Sequence, residues 1–166
     1  MKNILITGGT GFIGSHVCLN FLEEGFNLTI IDSLKNSSKA VLKGIKEILE
    51  LSNKYDEKKI NFYKGDIRNT SFLEEVFLES KKKNSPIDAV IHFAGLKAIN
   101  ESLLNPILYW DVNVKGSINL FNIMQANDCR TILFSSSATV YGDSKNVPFK
   151  ESSPIIPCNT YGYTKA

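Results

Sequence analysis

The chain has 166 residues, 43% hydrophobic and 22% charged, and its 19 Lys and Arg against 17 Asp and Glu leave a net charge of +2. That is the composition of one globular domain with its own core, and so small a charge excess points to neither nucleic acid nor an anionic membrane. No apolar run approaches a membrane span and Met1 runs straight into a strand pattern rather than a signal peptide. The three cysteines, Cys18, Cys129 and Cys158, suggest neither a disulfide framework nor a metal site, so a reducing cytoplasm is expected.

The first stretch, Ile4 to Gly14, reads I-L-I-T-G-G-T-G-F-I-G: an apolar strand, a turn carrying Gly8, Gly9, Gly11 and Gly14, then a helix with Ile13, Val17, Phe21 and Leu22 at helical spacing. In a dinucleotide-binding unit such glycines serve the sharp turn, the approach of backbone to a pyrophosphate, and close helix–strand packing. The helix N-terminus offers free amides and a positive dipole end to the anion. Ser15 follows Gly14 where a P-loop requires lysine, which excludes that alternative. Gly25 suits a helix C-terminus, and Phe26 to Asp32 predicts a buried second strand. Asp32 at its end is placed to accept hydrogen bonds from an adenosine ribose and to repel a 2′-phosphate, favouring NAD over NADP; a turn cap is the plainer reading of that residue.

Ser37 or Ser38 is expected to cap a helix with Val41, Ile45, Ile48 and Leu49 inward, ended by the polar stretch 52–59. A third strand, Ile60 to Tyr63, leads to Gly65-Asp66-Ile67-Arg68 at the ligand-facing end of the sheet, where Asp66 and Ile67 could flank an adenine. Asn69 or Thr70 starts a third helix with Phe72, Leu73, Val76 and Phe77 inward; Lys81 to Lys83 suit its C-terminal dipole and face solvent, and Pro86 stops it. Asp88 to Gly95 predicts a fourth strand ending in small residues, with Lys97 just beyond. His16 and His92 read as packed residues. A long helical segment follows from Pro106 to Ala126, with Val112, Leu120, Phe121 and Met124 inward and Asn113 as a polar residue in need of partners. The fifth strand, Thr131 to Ser135, carries Ser135-Ser136-Ser137 at its ligand-facing end. A loop from Gly142 through Pro148, Pro154 and Pro157 leads to Asn159, beyond which Tyr161 and Lys165 share a helix face. The alternation predicts an α/β fold, one doubly wound parallel sheet of Rossmann type in the order 3-2-1-4-5.

Tyr161 becomes a usable base if an ammonium and a cationic nicotinamide favour its phenolate. Lys165 supplies the first charge, and Ser137 could bond the same substrate oxygen, so the three would take a proton from an alcohol while NAD takes hydride from its carbon. Tyr-x-x-x-Lys alone is a weak signal; the glycine turn, Asp32 and the strand-five serines give it context.

With those residues in place the sequence resembles the extended short-chain dehydrogenases/reductases, and among them the epimerases acting at C4 of nucleotide-linked sugars. The resemblance covers the whole chain, through T-G-G-T-G-F-I-G from Thr7, D-S-L-K-N-S from Asp32, G-D-I-R from Gly65, H-F-A-G-L-K-A from His92, N-V-K-G from Asn113, S-S-S-A-T-V-Y-G from Ser135 and Y-G-Y-T-K from Tyr161. It implies an NAD site lined by Phe12 and Ile13, by Asp32, Ser33, Leu34, Lys35, Asn36 and Ser37, by Asp66 and Ile67, by Phe93, Ala94, Gly95, Leu96 and Lys97, and by Asn113. It further implies Tyr161 as base, Lys165 as ribose ligand and modifier of its pKa, and Ser137 as third catalytic group. A UDP-hexose substrate and a homodimer of the longer protein are expected on the same ground. The related 4,6-dehydratases resemble Ser-Thr-Asp-Glu-Val-Tyr-Gly at strand five, where Ala138 and Thr139 stand here without a carboxyl group. Such enzymes continue well past Tyr-x-x-x-Lys into a sugar-binding domain, so the chain reads as an N-terminal portion, with a frayed last helix, weak NAD affinity, poor solubility and no epimerase activity by itself.

Overall fold

The computed structural model describes residues 2–143 and 147–166; Met1, and the part of the expected Gly142-to-Pro157 loop at 144–146, lie outside them. Five parallel strands form one sheet in the order β3-β2-β1-β4-β5, the predicted topology. They are β1 (Asn3–Thr7), β2 (Asn27–Asp32), β3 (Ile60–Lys64), β4 (Ile87–His92) and β5 (Thr131–Phe134). Helices α1 (Phe12–Glu23) and α2 (Ala40–Leu51) follow the first two strands, and α3 (Thr70–Lys82) the third. After β4 come α4 (Ile99–Leu104), α5 (Pro106–Tyr109), a π-helical segment (Trp110–Lys115) and α6 (Gly116–Ala126), and after β5 comes α7 (Thr160–Lys165).

Strand β1 sits centrally, paired with β2 and β4, so both its faces are buried and its residues need not alternate with polar ones. Ile4 and Ile6 pack with Cys18, Leu22, Leu28, Ile45 and Leu49 on one face; Leu5 packs with Leu73, Val76, Phe77, Val90 and Leu120 on the other. Two inward assignments fail. Ile48 and Phe121 are substantially exposed, Ile48 on α2 and Phe121 on α6; the residues of the edge strand β5 are all exposed as well. Of the two serines expected to cap α2, Ser38 accepts from the Ala40 amide through its Oγ, while Ser37 turns to Asp32; Lys39, directly before the helix, adds no side-chain cap. Asn69 does cap α3, accepting from the Phe72 amide. Lys83 reaches across to Asn61 and the Tyr63 hydroxyl rather than facing solvent alone.

The predicted helix from Pro106 to Ala126 is continuous but contains the six-residue π segment, and the preceding short α4 has no counterpart in the sequence reading. Among the described residues no helix is long and apolar enough to cross a membrane.

Candidate active site

The carboxyl ends of the strands open into one cleft of about 450 Å³, within the size range of small-molecule sites. Its floor is the glycine turn. Gly8 adopts φ 70°, and a Cβ there would stand 2.8 Å from the Ala94 amide nitrogen, so the turn needs both the left-handed backbone and the missing side chain. At Gly14 a Cβ would overlap the Gly8 carbonyl oxygen. Gly11 precedes α1 and no side chain caps that helix, which leaves its first amides facing the cleft as an anion site.

Asp32 ends β2 and is buried. Its Oδ2 accepts from the Thr10 amide at 3.1 Å, and its Oδ1 accepts from the Leu34 amide at 2.9 Å and from Ser37 Oγ at 3.0 Å. The carboxylate therefore caps the following turn and ties it to the glycine turn, which accounts for Leu34 being held at φ 57°. Asp32 is thus a turn cap that also lines the cleft, with acceptor capacity left on Oδ2. Asp66 closes the next wall. Arg68 grips it through both Nε and Nη2, reaches Asp111 Oδ2 with Nη1 at 2.7 Å, and lines the cleft. The Arg68 hydrogen bonds hold the Asp66 carboxyl below the usual carboxylate range, against its partial burial.

On the other side stand Tyr161 and Lys165, both buried and both lining the cleft with Ser137. Contrary to the expected fraying, α7 is formed, and its partners explain why. Asn159 caps it by accepting from the Gly162 amide, the Tyr161 amide donates to Ser102 Oγ, and Ser136 Oγ donates to the Lys165 carbonyl. Lys165 Nζ donates to the Ser135 carbonyl at 3.0 Å, and burial holds its ammonium below the ordinary lysine pKa. Ser137 Oγ accepts from the Thr139 amide and hydroxyl and so caps the 3-10 turn Ala138–Tyr141.

Of the residues assigned to the site from sequence, Leu34, Ser37 and Asn113 do not line the cleft. Asn113 Oδ1 accepts from the Leu96 amide at 2.7 Å while Nδ2 donates to the Leu96 carbonyl and to Thr164 Oγ1. It thus clamps the loop after β4 to α7, and its polar groups have the partners its burial requires. Gly8, Gly11, Phe12, Ile13, Gly14, Ser33, Lys35, Asn36, Ile67 and Phe93 to Lys97 all line the cleft as expected. The lining also includes Gly65, Arg68, Ser135 and Ser136, which the sequence puts at the ligand-facing edge without a role of their own, and Ile31 and Val112, which it gives no place in the site; Ser102, bonded to the Tyr161 amide, went unnoticed.

Behind the cleft His92 is fully buried. Its Nε2 lies 2.9 Å from Ser117 Oγ, and Ser117 donates its single proton to the Asn113 carbonyl, so Ser117 must accept from Nε2–H. The Nδ1 lone pair then accepts from the Thr7 hydroxyl, whose oxygen in turn accepts from the Ala94 amide at 3.3 Å. Burial, with Lys165 nearby, pushes the imidazole pKa down to about 3. His92 is a packed, neutral residue, as its place in a strand predicted.

A parallel sheet with an uncapped helix behind a glycine turn, an acidic residue ending β2 and a Tyr/Lys pair beside the β5 serines defines an NAD-binding Rossmann domain of the extended short-chain dehydrogenase/reductase class. The chain belongs to the family described as GDP-mannose 4,6 dehydratase, whose model matches residues 5–166. It is 42% identical over 165 residues to UDP-glucose 4-epimerase 2 of Oryza sativa subsp. japonica, a match covering 99% of the chain and 38% of that protein. It is 44% identical to UDP-glucose 4-epimerase 2 of Arabidopsis thaliana, covering 99% and 44%. Among solved structures it superposes on UDP-glucose 4-epimerase from Bifidobacterium longum, in complex with NAD+ and UDP, with a TM-score of 0.88 at 38% identity, covering 99% of the chain and 46% of that one. The chain thus spans less than half the length of these relatives.

Proposed function

We propose that the chain is the NAD-binding part of an epimerase that inverts C4 of a UDP-hexose, interconverting UDP-glucose and UDP-galactose. The observation that carries this reading is the convergence of the uncapped α1 terminus, Asp32 and the Ser137, Tyr161 and Lys165 group on a single cleft. The first amides of α1 would hold the NAD diphosphate and Asp32 Oδ2 the adenosine ribose, with Asp66 and Ile67 beside the adenine. Bound NAD supplies reversible hydride transfer. Tyr161 takes the proton of the sugar C4 hydroxyl and returns it, the Lys165 ammonium stands one helical turn from it, and Ser137 donates to the same oxygen. Hydride chemistry of that kind would let the centre be inverted with no net change in the cofactor.

The family description favours a second reading, loss of water from a nucleotide-linked hexose. That chemistry needs an acid and a base beside the strand-five serine, and Ala138 and Thr139 offer no carboxyl there. For the longer protein we further propose a homodimer, supported by the apolar residues Leu104, Ile107, Trp110, Ile118 and Phe121 left exposed along α4 to α6. The deciding assay follows UDP-galactose with the chain alone and with the chain extended by the remaining length its relatives carry. The extended protein turns over and loses that activity by orders of magnitude in Tyr161→Phe but not in Tyr163→Phe, Tyr163 being exposed; the chain alone is inactive. A keto-deoxy sugar product, or full activity in Tyr161→Phe, refutes the reading.

A further inference from the structure

Lys165 is a buried cation with no counter-ion: it takes part in none of the ion pairs among the described residues. An ammonium removed from water in that way needs other support to stay charged. Two adjacent residues at the end of β5 provide it. The Ser135 carbonyl accepts one of its three protons at 3.0 Å, and the Phe134 ring centroid lies 4.8 Å from Nζ, within the reach of a cation–π contact. The Phe134 ring is itself placed by His92, whose ring lies 5.6 Å away at 51°.

We infer that Phe134 is a positioning residue for Lys165, its ring face and the Ser135 carbonyl together holding the ammonium at the Tyr161 end of the cleft in place of a counter-ion. The tie to function rests on the reading above, in which a charged Lys165 serves the Tyr161 end of the cleft; the contact itself does not depend on whether NAD binds. Because the ring attracts only the cation, its loss shifts the lysine toward the neutral amine. The other titratable groups around the pair are Tyr161 on the same helix, Tyr109 against Tyr161 with Glu101 on its hydroxyl, His92 behind Phe134, and Lys97 on the cleft wall. Of these, His92 is the one that packs against the Phe134 ring itself.

The test is a pH titration of the chain labelled with carbon-13 at the lysine ε-carbons, the Lys165 signal being assigned by its loss in Lys165→Arg. Phe134→Leu removes the ring but keeps apolar bulk, and moves the ammonium–amine equilibrium of Lys165 between about threefold and tenfold toward the amine. Phe134→Tyr keeps a ring face and stays within about twofold of the parent. Phe134→Met replaces the leucine variant if that one does not fold, with far-UV circular dichroism and the other lysine signals as the check on folding. An unchanged Lys165 titration in the ring-free variant, or an equal displacement in the tyrosine variant, overturns the inference. NAD titrated into the same samples reports separately: failure of the parent chain to bind it counts against the nucleotide reading and leaves the lysine comparison standing.

Discussion

Acid should destabilise this fold through the buried imidazole of His92. The native ring refuses a proton down to about pH 3, while in the unfolded chain it titrates near the ordinary value of 6.5. Between those values the unfolded state binds one proton more than the native state, so stability is complete above the unfolded value and falls as pH drops toward the folded one. The slope is about 1.4 kcal/mol per pH unit for one proton, which gives a loss of about 2 kcal/mol between about pH 7.5 and about pH 5. The variant His92→Gln keeps an amide N–H for Ser117 and has nothing to titrate. It is less stable at neutral pH but lacks this share of the pH dependence; His16 and the carboxylates are common to both proteins and cancel. Urea unfolding at the two pH values measures the difference directly. Equal losses in parent and variant, or a His92 ring proton that titrates near 6.5 by NMR in the folded chain, would refute the buried-neutral assignment.

Gly8→Ala should cost at least about 2 kcal/mol in denaturant unfolding, from its positive φ and the approach to Ala94. Gly44→Ala, in the middle of α2 with nothing within 4 Å of the added Cβ, should instead gain about 0.5–1 kcal/mol, and equal effects would mean the turn is not constrained as described. A thiol reagent should modify the native chain at the exposed Cys158 alone and reach Cys18 and Cys129 only after unfolding; burial, with Asp32 adding to it, pushes the Cys18 thiol up to about 12, and labelling of it in the native protein by mass spectrometry would contradict this. NAD should bind at least about tenfold more tightly than NADP because Asp32 meets the 2′-phosphate, and equal affinities in a titration would leave Asp32 as a turn cap only.

Strand order was legible because β1, β2 and β4 are short apolar runs bounded by glycine, asparagine or aspartate and separated by helical patterns, a combination that admits few topologies. The cleft followed from it, since a parallel sheet brings all its strand ends to one edge. What the sequence concealed has a common physical character. Helix α4 buries only Ser102, with Leu103 and Leu104 exposed, so no amphipathic stripe announces it; Asn105-Pro106, which opens α5, was the available signal. Arg68 stood in a motif already noted, but its second carboxylate, Asp111, lies 43 residues away. Ile48 and Phe121 fit a helical period and still face outward, because period gives the face of a helix and not the width of what covers it.

The π segment was equally hidden, since i→i+5 bonding leaves no mark on composition, yet it explains how one helical run serves two purposes. Tyr109 and Leu120 are eleven residues apart, nearly three whole α-helical turns, and in a regular helix would share a face. The wider turns of residues Trp110–Lys115 rotate them apart by about a quarter turn. Leu120 accordingly packs on the sheet with Leu5 and Val90, while Tyr109 packs with Leu96 and Tyr161 beside α7. At the changeover lies Asn113, its carbonyl fixed through Ser117 to His92 and its side chain fixed to Leu96 and Thr164. Thr164 in turn donates to the Tyr161 carbonyl. An unbroken line of buried hydrogen bonds thus runs from Thr7, at the start of the glycine turn, to the backbone of Tyr161. A change at His92 or Ser117, neither of which lines the cleft, is therefore expected to disturb the nucleotide floor and the tyrosine together.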